Sequence, residues 1–141
     1  MNKIEMLMIS CMILISGCVS TQKSPYATEI SPNASELVVD FSWAGTKVCG
    51  FLSPEITVTN IPAGTMFLEV TLKDLDVIGV NHGGGRIENN GSGIIPAGAL
   101  TDRYMGPCPP PDRSHSYQFT VNAVNGEGII IGTGKSARGF H

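Results

Sequence analysis

Apolar and polar side chains alternate with a period of two over residues 66–73, where Leu68, Val70 and Leu72 point one way and Glu69, Thr71 and Lys73 the other. The pattern is cleaner over 115–124, with Tyr117, Phe119, Val121 and Ala123 on one face and Ser116, Gln118, Thr120 and Asn122 opposite. Residues 37–41 form a short apolar run just ahead of Trp43, 56–59 alternate, and 128–132 carry Ile129, Ile130 and Ile131. Ile61-Pro62-Ala63-Gly64 supplies a turn between two of these runs. Beyond residue 17 no stretch sustains the helical period for three turns. The pattern therefore predicts a mostly β domain that buries its faces in a two-sheet sandwich or a partly closed barrel.

The N-terminus has a different design. Lys3 precedes an almost unbroken apolar run from Met6 to Ile15, followed by Ser16, Gly17 and Cys18. The run is too short to cross a bilayer and has the layout of a bacterial export signal. Ile15-Ser16-Gly17-Cys18 resembles the lipobox of bacterial lipoproteins, in which the cysteine thiol accepts a diacylglyceryl group and becomes the first mature residue. The expected organisation is a signal peptide over 1–17, a lipidated N-terminus and flexible tether over 18–35, and a β domain over 36–141. Acyl chains such as palmitate on Cys18 would hold the protein at a membrane surface without a spanning helix. With Val19 after the cysteine, the expected location is the outer membrane of the cell envelope, facing the periplasm.

Composition narrows the function. The 141 residues carry nine Lys and Arg against twelve Asp and Glu, a net charge of −3. Without residues 1–17 the balance is eight to eleven, still −3. No basic footprint for nucleic acid exists, and no charge draws the domain to anionic lipid, so membrane contact is expected through the N-terminal lipid only. Asn33-Ala34-Ser35 and Asn90-Gly91-Ser92 have the form of glycosylation acceptors, a signal that an export route through a lipobox deprives of weight.

Four segments hold candidate chemistry. Asp74-Leu75-Asp76 ends the 66–73 strand, and alternation puts both carboxylates on one side, fit to bind a cation, to act as an acid and base, or to orient a histidine. Asn81-His82-Gly83-Gly84-Gly85-Arg86 offers consecutive backbone N–H groups, the material of an anion-binding nest. Gly106-Pro107-Cys108-Pro109-Pro110-Pro111 makes a stiff wall with few donors, suited to a pocket edge. His115 and Tyr117 share the inward face at the start of the 115–124 strand.

These segments, taken in order with Ser53-Pro54-Glu55-Ile56, Pro62-Ala63-Gly64-Thr65 and Tyr104-Met105-Gly106-Pro107, resemble the phosphatidylethanolamine-binding protein family, in particular its bacterial Raf kinase inhibitor-like branch. The likeness spans residues 37–140. It implies a large antiparallel sheet packed on a smaller one with few short helices, and a small surface pocket that accepts phosphate-like anions. On this resemblance the ligand-binding residues are Asp74, His82, Gly106, Pro107, His115 and Tyr117, with the Tyr117 hydroxyl meeting the ligand. Leu75, Gly83 and Ser116 depart from the family's proline, aromatic and arginine, which implies a shallower pocket. Kinase inhibition, known for eukaryotic relatives, is not carried over.

Of four cysteines, Cys11 leaves with the signal and Cys18 carries lipid, so Cys49 and Cys108 remain. In an oxidising compartment they either pair or stay as separate thiols, and a structural disulfide is the favoured expectation. The expected function is binding of a small anionic or phosphate-bearing ligand, without catalysis, cofactor or metal. Two alternatives stand beside it: a protein-interaction or structural module with a vestigial pocket, its protein partner unspecified, and a hydrolase-like enzyme using Asp74 and His115, with a metal on Asp74, Asp76 and His82.

Overall fold

The computed structural model describes residues 26–141; the expected export signal over 1–17 and the expected lipidation at Cys18 lie outside the described residues. The chain forms β1 (Ile30–Glu36), β2 (Val38–Phe41), β3 (Ile56–Thr59), β4 (Thr65–Asp74), β5 (Asn81–Glu88), β6 (Ile94–Ile95), β7 (His115–Asn125) and β8 (Ile130–Phe140), with no helix among the described residues. The strands make two sheets, one of order β1-β8-β7-β4-β5 and one of order β2-β3-β6. All strand pairs are antiparallel except β1 with β8, which is parallel.

The period-two pattern fixes which faces meet. Leu68, Val70 and Leu72 of β4 and Tyr117, Phe119, Val121 and Ala123 of β7 are buried in one core with Val39, Phe41, Ile56, Val58 and Ile95 of the small sheet. β4 and β7 pair in full register from Phe67 opposite Val124 to Asp74 opposite Tyr117, so their ends are set by the same ladder that sets the core. Phe41, Trp43 and Phe119 pack edge-to-face or tilted with ring centroids 4.8–5.6 Å apart, closing the sandwich near the start of β7.

The tether reading of 18–35 is corrected over its second half. Within it, β1 pairs with β8, the Glu29 carbonyl accepts from the Ile130 amide, and Tyr26 and Ala27 bond to Asp102 and Glu69. The folded unit therefore includes residues 26–35. The segment has no alternation to announce it, because β1 is an edge strand whose side chains are exposed or half-buried.

The anion-nest reading of Gly83-Gly84-Gly85 is also corrected. These glycines lie inside β5, where Gly84 pairs with Thr71 and Gly85 with Val70. The Gly84 amide donates to the Asp102 carbonyl and the Asp102 amide donates back. A Cβ on Gly84 would drive into the Val70 carbonyl, and Gly83 takes a φ of 72° against the Arg103 carbonyl. The run of glycines answers a close approach of backbones, with the Gly83 amide donating to the Asn81 side chain and the Gly84 amide to Asp102.

Candidate functional site

The ends of β4 and β7 bring Asp74 and His115 together. Asp74 Oδ2 lies 2.7 Å from His115 Nδ1, and both side chains are buried. Tyr117, two residues along β7, accepts from the Cys108 amide at 3.1 Å with its hydroxyl. His82, at the start of β5, packs edge-on to Tyr117 with ring centroids 5.3 Å apart, and the His115 ring stacks on Tyr117 at 6.3 Å. Four of the six residues named from the resemblance thus form one buried cluster centred on Tyr117.

Gly106 and Pro107 complete it from the proline-rich loop. The carbonyls of Met105 and Gly106 lie 2.9 and 3.1 Å from His82 Nδ1. Neither carbonyl can donate, so Nδ1 carries the proton and Nε2 of neutral His82 is an acceptor. The loop is pinned in turn by the Cys49–Cys108 disulfide, by the Cys49 amide donating to the Pro107 carbonyl at 2.7 Å, and by the Gly106 amide donating to the Gly50 carbonyl at 2.7 Å. The expected disulfide is present, and every X-Pro bond in the loop is trans.

Asp74 and Asp76 do different work. The expectation that both line one mouth is corrected: Asp76 lies past the strand end, where its amide donates to Asp74 Oδ1 at 2.8 Å and its carboxylate accepts from the Ser116 amide at 2.6 Å. Alternation ends where the ladder ends, and the Asp76 side chain turns back to cap β7. No group of three His, Cys, Asp or Glu side chains able to hold a metal ion occurs among the described residues.

Electrostatics follow from burial and from these bonds. Burial alone would raise the Asp74 pKa, yet hydrogen bonds from His115, the Asp76 amide and Tyr117, with the His115 charge, outweigh it and hold the carboxyl below its ordinary 3.8. Burial pushes the Tyr117 phenol up against the Cys108 amide bond, and the Asp74 charge adds to the rise. The Tyr117 hydroxyl does not face outward to a ligand, because the residue is fully buried and the hydroxyl accepts from the Cys108 amide.

Outward-facing capacity lies in the imidazole edges. Asp74 takes Nδ1 of His115 and the loop carbonyls take Nδ1 of His82, and no described residue bonds the Nε2 of either ring.

Sequence reasoning missed three features near this region. A cleft of about 620 Å³ opens on the other side of the disulfide loop, lined among others by Ser42, Lys47, Phe51, Leu52 and Glu55, and it includes none of the clustered residues. The Tyr104 hydroxyl is buried with no hydrogen-bond partner among the described residues, and burial pushes its pKa up. Glu69, on the outward face of β4, is buried beneath Tyr26 and Ala27, with Arg86 3.5 Å away. No local pattern marks any of the three, and the burial of Glu69 depends on a segment distant in sequence.

A two-sheet β sandwich with an acid–histidine–tyrosine cluster at one sheet end, walled by a proline-rich loop, defines the class of this protein. No protein-family model matches the chain, and no curated protein does. Among solved structures, a phosphatidylethanolamine-binding protein homologue of Chlamydia trachomatis superposes with a TM-score of 0.51 at 19% identity, covering 77% of this chain and 98% of its own. YbcL of Escherichia coli, described as a member of the mammalian phosphatidylethanolamine-binding protein family, gives 0.50 at 20% identity over 82% of this chain and 93% of its own. The chain has the phosphatidylethanolamine-binding protein fold, as the motifs led one to expect.

Proposed function

We propose that this protein is a cell-envelope lipoprotein that binds a small anionic or phosphate-bearing ligand at the Asp74–His115 cluster. The observation that carries the reading is the 2.7 Å bond from Asp74 to His115 Nδ1, which fixes the ring so that protonated His115 offers Nε2–H to an anion. His82 adds a second imidazole edge when its Nε2 is protonated. Both structural neighbours are named as relatives of phosphatidylethanolamine-binding proteins, and phosphatidylethanolamine is a phosphate-bearing lipid, which fits this chemistry.

We read the site as one for binding: its tyrosine hydroxyl is engaged by the Cys108 amide, and its acid is engaged by His115. Burial of the cluster restricts a ligand's approach to the imidazole nitrogens, so affinity is weak. Calorimetric titration of the chain lacking residues 1–17 and carrying Cys18→Ser, with inorganic phosphate and with phosphoethanolamine near pH 6 and near pH 8, tests the reading. Heat at the lower pH that fades at the higher supports it. No heat at millimolar ligand at either pH favours the interaction module with a vestigial pocket.

A further inference from the structure

The end of the sandwich that holds the cluster is also the most apolar part of the surface. Seven of the eleven exposed large apolar side chains of the described residues lie in two short loops. One loop joins β4 to β5 and carries Leu75, Val77, Ile78 and Val80, with Ile78 fully exposed. The other carries Val48, Phe51 and Leu52, with Phe51 78% exposed.

Both loops sit at the same end. Leu75 is tied to β7 by its amide to the Ser116 carbonyl. The 48–52 loop reaches the same strand through the disulfide to Cys108, whose amide bonds to Tyr117. The only charge in the 75–80 tip is Asp76, an exposed carboxylate that accepts from the Ser116 amide. Turn tips exposed to water are normally polar, so apolar clusters of this kind mark a contact surface.

The path of the chain says what that surface meets. The first described residue, Tyr26, is bonded to Asp102, which bridges to Gly84 opposite Thr71. From Thr71 to Leu75 is four residues along β4, about 13 Å. Eight residues separate Cys18 from Tyr26, a span of at most about 29 Å when fully extended. A lipid on Cys18 therefore keeps the two loops within reach of the bilayer that holds it.

We propose that this end of the sandwich docks on the lipid surface, with the 75–80 and 48–52 loops entering the interfacial layer and the Asp74–His115 cluster turned toward the headgroups. The inference rests on the lipoprotein reading for its short tether, and it adds an apolar contact to the anchor itself.

The test uses the full chain, purified from a bacterial host and reconstituted in phosphatidylethanolamine–phosphatidylglycerol vesicles, with an environment-sensitive fluorophore on Ile78→Cys, on Phe51→Cys or on Gly126→Cys. Gly126 is exposed in the β7–β8 turn, about 35 Å from His115 along β7. All three positions are at the surface, so labelling leaves the core intact. Intact mass reads the state of Cys18 in the same samples. The expected result is blue-shifted emission, quenched by lipid-borne nitroxides, at 78 and 51 and water-like emission at 126. Water-like emission at all three with Cys18 acylated overturns the docking and leaves the lipoprotein reading standing. Embedded labels at 78 and 51 with Cys18 unmodified sustain the docking and remove the lipoprotein reading. Water-like emission with Cys18 unmodified removes both.

Discussion

β4 buries two carboxylates, one on each face of the large sheet, and it keeps them by different means. Asp74 closes a compact cluster at the strand end: its oxygens are met by His115 and the Asp76 amide, and a disulfide-pinned loop holds the neighbouring Tyr117 and His82. Glu69 lies mid-strand on the outer face and is covered by chain from outside the sandwich. Its Oε2 accepts from the Ala27 amide at 2.8 Å, while Oε1 has Arg86 at 3.5 Å and no hydrogen bond. The comparison separates a site organised by the sheet from a seam closed by a terminal segment. The first is rigid and fit for recognition, and the second is where the fold would loosen first.

Removing the acid that organises the site has the largest expected effect. Asp74→Ala leaves a buried histidine and tyrosine without their shared partner, at a cost of about 3–5 kcal/mol by denaturant unfolding. Asp74→Asn sharpens the point through pH. The native carboxyl is held below 3.8, so the pair's stabilisation is present above that value and is lost as pH falls through the lower native pKa. The wild type should show this acid limb, and Asp74→Asn should lack that contribution to it.

Opening the Cys49–Cys108 bridge comes next. The bridge spans 59 residues of chain, so Cys49→Ser with Cys108→Ser should cost about 2–4 kcal/mol. Since the bridge pins the loop that caps His82, hydrogen exchange should rise at Gly106 and Met105 in that variant and stay unchanged at Ala27.

The smallest effect is expected at the seam. Tyr26→Phe removes a 3.0 Å bond to Asp102, worth about 1 kcal/mol, and should raise exchange at Ala27 without reaching Gly106. Burial and the bond to Asp102 raise the Tyr26 pKa from 10.0 to about 12. Its contribution is therefore complete below pH 10 and is lost as pH rises through about 12, an alkaline limb that Tyr26→Phe should flatten.

The same contrast explains what was legible in the sequence. Strong alternation located β4 and β7 to within a residue or two, and their register carried Asp74, His115 and Tyr117 to one place, so the site could be read from the strands that hold it. His82 was named from the motif, yet its glycine neighbours were read as a loop, because glycine records a need for room without saying whether a ligand or another backbone fills it. Residues 26–35 gave no signal at all: an edge strand with exposed side chains has the composition of a tether, and its parallel partner β8 lies about a hundred residues away. Glu69 was assigned to the correct face, and only the return of that distant segment made the face buried.

The central claim is that Asp74 sets the His115 ring so that Nε2 receives an anion. Imidazole nitrogen NMR of the chain lacking residues 1–17 and carrying Cys18→Ser, titrated with phosphate, reads that atom directly. The predicted result is a saturable shift at Nε2 of His115, with a smaller one at His82, abolished in a folded Asp74→Asn variant. Unmoved Nε2 signals at saturating phosphate, or equal shifts with and without the Asp74 carboxylate, would contradict it.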